Sequence, residues 1–582
     1  MTREIGLVGS PSTTARVTVD VLEDASSEPL HGQLVSLTHS LEDKHLIALG
    51  TVTEIRTSNR WHEDPNMRGV LKRHGRLPHL SEVGDVRTAE VIVQAAYAAD
   101  SENPSLGDPP IESGGSLTMS PTTGATVQRV TDEFLSALLR QHEDDLIFLG
   151  RVFKMEDVRM PLVLRHFGPV DSGGVGEAYH SGVFGMTGSG KSGFAAYLLA
   201  AHVRHPELAV IIMDPQGQFT TEEGLPFSLQ EWAELRGREV QTYSISDDLR
   251  LPQDAYLLTD LLGNTPFFKS LLSVRNRENR ESAEAEFTRA LQRHTGWNGM
   301  DAETLLRGAL AELAKDEQAI VRIYASPASQ KRLQMRLGAI LRERAEFDQA
   351  LEFFAPLHSL FTNANQSGGR RHSLNFVLEA ALDSTKKPRA FIVLNFSSSG
   401  ATALLESTPV KARILRIVCR MLNRRAEELY QQGSTLNTLV VFDEAQRFAA
   451  NDPEDDESRE LSERLVDYVR TTRKYGLGWM FITQEIGSLR RGIYTQLRVR
   501  SFGYGLTSGT ELQRLRETIG DPAALELYRS FVDPGAVSPR QYPFMLTGPV
   551  SPLSFTGAPV FLSVYTDFDE FKTANGFSIT DR

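Results

Sequence analysis

Three separated segments of this 582-residue chain hold residue types at spacings that can do chemistry. The first is GMTGSGKS at positions 185–192, which fits G-x-x-x-x-G-K-[S/T]. Glycines in that pattern let backbone N–H groups curl round a phosphate, and a following helix adds the positive end of its dipole. Lys191 supplies a mobile charge for the β- and γ-phosphates, and the Ser192 hydroxyl can ligate Mg²⁺. Gly185, Thr187, Gly188, Ser189, Gly190 and Gly193 complete the candidate cradle for a nucleoside triphosphate. A glycine-rich turn without a ligand is the bland alternative. The flanking pattern argues against it, because a short apolar strand (181–184) precedes the motif and a helical pattern (193–201) follows.

The second segment is TLVVFDEA at 438–445. Its apolar run predicts a buried strand that delivers Asp443 and Glu444 to the edge of a sheet. There Asp443 can hold Mg²⁺, and Glu444 can orient and deprotonate an attacking water. The third runs from Arg470 to Gln484. It reads as the end of a helix followed by a strand, with Gln484 set to sense a γ-phosphate. Arg470 and Arg473 can neutralise transition-state charge, most usefully on a neighbouring subunit's nucleotide. They equally suit a helix C-terminus, where cations complement the dipole. Asp214, at the end of the apolar run 208–213, reads either as a partner of the site or as a turn cap before Pro215.

The elements that must position these groups follow a strand–helix–strand rhythm from residue 183 onward, which predicts a parallel sheet with ligands at its C-terminal edge. The expected fold is α/β: a RecA-like phosphate-loop ATPase core with a helical insertion, plus a small N-terminal β-barrel. The expected boundaries are 1–165 barrel, 166–250 first part of the core, 251–380 helical insertion, where composition shifts to helix formers, 381–550 second part of the core, and 551–582 closing strand and tail. In the barrel region 16–21, 46–55 and 91–97 read as short strands, 131–142 as a helix and 146–153 as a further strand. His62, His74 and His79 lack ligand spacing and read as exposed. In the insertion, Ser326 and Pro327 begin a helix with Leu333, Leu337, Ile340 and Leu341 on one face. Lys331, Arg332, Arg336, Arg342 and Arg344 lie on the rest of it, as a solvated face or a nucleic-acid contact. The acidic stretch 451–460 reads as solvated surface.

A net charge of −13 argues against a wholly basic surface, though it leaves room for a local basic channel. The single cysteine, Cys419, excludes an internal disulfide or a multi-cysteine zinc site and reads as a core residue. No apolar run is long enough to cross a bilayer, and the N-terminus lacks the apolar stretch of a signal peptide, so a cytoplasmic protein without a membrane partner is expected.

Together HSGVFGMTGSGKS (180–192), DPQGQF (214–219), LVVFDEAQRF (439–448) and RTTRKYGLGWMFITQ (470–484) resemble the HerA branch of the HerA/FtsK ATPases. Strands around Gly50 and Gly150 resemble that family's N-terminal barrel, and segments 533–536 and 558–560 its closing strands. The resemblance implies a homohexameric ring that hydrolyses ATP with Mg²⁺ between subunits and threads double-stranded DNA. It also implies a partner nuclease or defence effector, of the NurA or sirtuin type, in DNA end processing or anti-phage defence. It gives Lys191, Ser192, Asp443, Glu444 and Gln484 the roles described above and Arg473 that of the trans arginine finger, with Arg470 as the other candidate. Two positions depart from the family pattern: Gln218 stands where Glu is usual and Gln446 where His is usual.

Two functions compete. One is a ring-shaped DNA translocase or helicase, for which the pairs Arg490-Arg491 and Arg370-Arg371 are candidate pore contacts or ordinary surface. The other is a nucleotide-gated scaffold that activates a partner effector with little translocation. A conjugative or secretion pump would need a membrane anchor that the sequence does not offer, and no metal-nuclease constellation is legible.

Overall fold

The computed structural model describes residues 3–40, 45–75, 78–105, 111, 115–363, 369–397 and 407–576; the side chain of His79 lies outside that set. Near the N-terminus, period-two alternation folds into β1 (Arg3–Val8), β2 (Arg16–Val21), β3 (Leu34–Ser40), β4 (His45–Asn59), β5 (Asp85–Ala99) and β6 (Thr126–Arg129). They close as a barrel in the order β1-β2-β5-β4-β3-β6, with β6 pairing back onto β1. Val17, Val19, Val35, Leu37, Val91 and Val127 point inward and fill it.

Two of these strands are not short. β4 and β5 run 15 residues each and pair as far as Asn59 with Asp85, well past the barrel wall. The overrun is a two-stranded arm tipped by helices Arg60–Glu63, Pro65–His74 and Pro78–Gly84. The first two of these bury no side chain, and His62 and His74 are exposed as expected.

The rest of the chain is organised by one 11-stranded sheet. Its strands are β7 (Leu146–Val152), β8 (Arg159–Val163), β9 (Ser181–Phe184), β10 (Ala209–Asp214), β11 (Val240–Ser244), β14 (Phe391–Asn395), β15 (Thr438–Phe442), β16 (Leu477–Thr483), β17 (Val499–Phe502), β18 (Pro543–Thr547) and β19 (Val560–Val564). Two further short strands, β12 (Leu249–Arg250) and β13 (His372–Ser373), pair with each other beside it. The order is β11-β14-β10-β15-β16-β9-β17-β18-β19-β7-β8. The first seven are parallel, and the last four add on antiparallel. Residues 146–163, expected with the barrel, therefore belong to the edge of this sheet. The physical reason is that Ile147, Leu149, Val152 and Leu162 pack into the same core as the helix after β9.

Both faces of the parallel half are covered, which is why its strands read as unbroken apolar runs. Along β10, β15 and β16 the side chains alternate between two cores. Val210, Ile212, Val441 and Ile482 face the helix Lys191–Val203. Ile211, Met213, Phe442 and Phe481 face the opposite layer, which merges with the insertion.

The insertion is helical as expected, with Arg277–Gln292, Ala302–Lys315, Pro327–Arg342 and Arg344–Ser359 its longest members. Leu333, Leu337 and Ile340 are buried, with Leu341 partly so. Arg336 is not on a solvated face. Its Nε donates to the Leu271 carbonyl at 2.6 Å, and it pairs with Glu346. The acidic stretch 451–460 is largely exposed, as expected, with only Ser458 buried, but three of its acids are also tied inward. Asp455 caps helix Asp456–Thr471, and Glu457 and Glu460 clamp Arg416 of helix Thr408–Gln431, with Arg416 to Glu457 at 3.0 Å. Cys419 is fully buried on that same helix.

Candidate functional site

Strand register brings the three chemical segments to one edge. Phe184 lies beside Thr483, Phe481 beside Phe442, and Phe442 beside Met213. Each parallel strand ends within a residue of its neighbour, so Gly185, Gln484, Asp443 and Asp214 all emerge at the same C-terminal edge.

The loop after β9 has its shape because two positions admit no side chain. Gly185 has φ 156°, and a Cβ there would lie 2.6 Å from Ser189 Oγ. Gly190 has φ 84°, and a Cβ there would lie 2.5 Å from the Tyr542 ring. The helix Lys191–Val203 starts directly from this loop, so its first-turn N–H groups have no intrahelical acceptor and face the edge. Lys191 Nζ donates to the Met186 carbonyl at 3.1 Å, closing the loop on itself. Burial lowers the lysine's pKa, opposed by the charges of Glu444 and Asp443. The Thr187 hydroxyl donates to Gln484 Oε1 at 3.1 Å, which ties the loop to β16. The Ser192 hydroxyl donates to Gln218 Oε1 at 2.9 Å. Ser189 is buried, and its hydroxyl has no partner among the described residues.

The acids differ sharply in how they are held. Asp214 is saturated: it accepts from the N–H groups of Gly217, Gln218 and Thr220 and from the Thr220 hydroxyl, all at 2.8–3.0 Å. It is a turn cap. Its charge still acts at a distance: burial first, then Asp214 and Glu444, push the Asp443 carboxyl up to about 7. Asp443 Oδ2 is buried and has no hydrogen-bond partner among the described residues. A buried carboxylate oxygen without a donor calls for a cation. With the Ser192 hydroxyl, the available donors are all oxygen, which suits Mg²⁺. Among the described residues no cluster of three metal-ligating His, Cys, Asp or Glu exists. The fit is thus to a cation that brings phosphates with it rather than to a protein cage.

Glu444 sits in the left-handed region at φ 46°, turned out of the strand direction, and the Gln446 amide donates to its Oε2. Both departures from the family pattern consequently touch site groups: Gln446 holds Glu444, and Gln218 holds Ser192. Their chain positions were visible in the sequence, but nothing there showed which atoms they would meet.

Arg470 and Arg473 are not brought to this edge. They precede β16, whose seven residues span roughly 20 Å at ~3.3 Å per residue. Arg473 lies at the far, N-terminal edge, where its carbonyl accepts from Ala178 at 2.9 Å and its guanidinium pairs with Glu177 at 3.4 Å. Arg470 is exposed. Of the basic pairs, Arg371 is buried and bonds the Ser246 carbonyl, and Arg490 pairs with Glu463 at 3.2 Å.

Residues 178–379 match the family model described as "Helicase HerA, central domain", a span that takes in the phosphate loop and the insertion. The motif resemblance to HerA-type ATPases thereby holds. None of the curated proteins compared matches the chain. Among solved structures, VirB4 of Thermoanaerobacter pseudethanolicus is similar at 14% identity and TM-score 0.39, covering 72% of this chain and 96% of its own. The bacterial conjugative coupling protein TrwBdeltaN70 is similar at 13% identity and TM-score 0.39, covering 75% and 92%. The genome packaging NTPase B204 from Sulfolobus turreted icosahedral virus 2, in complex with AMPPCP, is similar at 10% identity and TM-score 0.27, covering 67% and 98%. At such low scores none of the three bears on what this chain does.

Proposed function

The chain resembles the HerA-type ATPases through residues 178–379, and from that premise we propose that it is an ATP-driven motor acting on double-stranded DNA. In this reading it works as a homohexameric ring with a partner nuclease or defence effector. The observation that carries the proposal is the meeting of Lys191, Asp443 and Glu444 at one sheet edge, with Asp443 Oδ2 buried and unpartnered.

The chemistry follows from these groups. Lys191, released from the Met186 carbonyl, neutralises the β- and γ-phosphate oxygens, and the first-turn N–H groups bind the remaining charge. Asp443 and the Ser192 hydroxyl would hold Mg²⁺, which supplies further neutralisation of the phosphate oxygens. Glu444 takes a proton from the water that attacks the γ-phosphorus as the bond to the β–γ bridging oxygen breaks. Gln484 leaves the Thr187 hydroxyl to sense the γ-phosphate. Arg473 and Arg470, on the far edge of the same chain, fit service to an adjoining subunit's phosphates, Arg473 after parting from Glu177.

One observation favours a second reading, a nucleotide-gated scaffold with slow turnover. The Gln446 amide donates to Glu444 Oε2 and so occupies one of the two oxygens that would take the water's proton. Glu444→Gln tests both. Mg–ATP binding persists, and hydrolysis falls about 10²–10⁴-fold. Loss of DNA movement and of partner activation together supports the motor; partner activation that survives without turnover supports the scaffold. Unchanged hydrolysis removes Glu444 from the reaction.

A further inference from the structure

We propose that the loop carries a nucleobase subsite whose wall is the Tyr542 ring, stacking on the purine of the bound triphosphate. The proposal rests on the triphosphate reading above and goes beyond it by fixing where the rest of the nucleotide lies.

The direction of the phosphate chain follows from strand order. Asp443, Glu444 and Gln484 come from β15 and β16, on one flank of β9. The γ-phosphate and the attacking water belong there. The α-phosphate, ribose and base must leave toward the other flank, formed by β17 and β18. β18 is antiparallel to β17, with Phe502 paired to Met545 and Arg500 to Thr547. Its first residues therefore stand at the phosphate-loop edge, and Tyr542 immediately precedes Pro543, where β18 starts.

Tyr542 reaches the loop itself. The position a Cβ would take on Gly190 is 2.5 Å from its Cδ1 and 2.9 Å from its Cγ, so the ring lies against the residue just before Lys191. Two contacts fix it there. Val564 N–H donates to the Tyr542 carbonyl at 3.0 Å. Two residues on, Phe544 stacks on Phe194 of the loop's helix, with centroids 4.3 Å apart and planes 20° apart. Within the first turn, the Pro226 ring lies 3.5 Å from the Cβ position of Gly193. An aromatic ring and a proline ring thus both lie against the start of the loop's helix. Tyr542 is only partly buried, and its hydroxyl makes no hydrogen bond among the described residues. A tyrosine placed purely for packing normally satisfies its hydroxyl when buried; this one keeps surface available. Base–aromatic stacking tolerates any base, and so Tyr542 contributes affinity for nucleotides as a class.

The test compares Mg–ATP with Mg–tripolyphosphate, which has the same charges and no base, by calorimetric titration of the full-length protein. Tyr542→Leu keeps apolar bulk over Gly190 and removes the π face. It weakens ATP binding roughly ten- to a hundredfold and leaves tripolyphosphate binding unchanged. Tyr542→Phe retains both. Equal loss of both ligands in Tyr542→Leu overturns the subsite, since the ring would then merely prop the loop. Unchanged ATP affinity overturns it as well. A wild-type protein that binds neither ligand fails differently, because it removes the triphosphate reading on which the subsite depends.

Discussion

Two groups of acidic side chains lie partly out of water in this molecule. One is at the ligand edge: Asp214, Asp443 and Glu444 beside Lys191. The other is at the seam between insertion and core, where Asp260, Glu284 and Glu457 meet Arg280, Arg413 and Arg416. At the seam each acid has an arginine as an ion-pair partner. Asp260 pairs with Arg413, Glu457 with Arg416 at 3.0 Å, and Glu284 faces Arg280 at 3.9 Å. At the ligand edge the lysine bonds a loop carbonyl instead of an acid, and Asp443 Oδ2 is left bare. Composition is similar in the two regions, and wiring separates them. Acids with guanidinium partners hold structure together, whereas an acid left without one marks the place where a ligand completes the circuit.

The largest effect that could break this contrast is at Lys191. Lys191→Ala is expected to abolish turnover and to weaken Mg–ATP binding at least tenfold, since a charge-assisted bond is worth about 1.5–3 kcal/mol. Its melting temperature without ligand should barely move. A large drop in melting temperature would make the ligand edge as structural as the seam. Arg416→Met should do the reverse, costing about 3 kcal/mol in urea unfolding because Glu457 loses its guanidinium. Nucleotide affinity should stay as it was. Asp443→Asn sharpens the comparison from a third side. It removes a carboxylate that burial pushes up to about 7, so the ligand-free protein gains about 1–2 kcal/mol at pH 8 while Mg²⁺-dependent ATP binding weakens.

The smallest effect concerns Glu284, which burial pushes up to about 7. Its folded pKa lies above the unfolded value of about 4.3. The ionised form therefore costs stability, fully above the folded pKa and not at all below the unfolded one. Glu284→Gln should be more stable than wild type at pH 8 by on the order of 1 kcal/mol, allowing for solvent screening of its exposed part. The difference should vanish as pH falls toward ~4, and melting curves across that range read it directly.

The sequence made the ligand edge legible for a physical reason. Strands covered on both faces must be apolar throughout, so β10, β15 and β16 stood out, and each ran into polar residues at the shared C-terminal edge. Alternation was less informative. Strand β7 alternates much as a barrel strand does, and only its pairing with β19 assigns it to the large sheet. Long-range ion pairs left no trace at all. Nothing in the acidic run predicted that Glu457 and Glu460 would hold Arg416, nor that Arg371 would be buried against Ser246. The approach of Tyr542 to Gly190 joins residues remote in sequence, and no spacing rule encodes it.

The sheet does not stop at the phosphate loop. It runs on through β17, β18 and β19 to β7 and β8, and the barrel is fastened along that extension. The Tyr97 hydroxyl donates to the Pro552 carbonyl at 2.7 Å, and the Gln94 amide to that of Pro559 at 2.6 Å. Loop and barrel thus share one continuous hydrogen-bonded plank. A plank of that kind resists flexing between its ends, so under the proposed motor reading any stroke should be found off it, at the insertion seam.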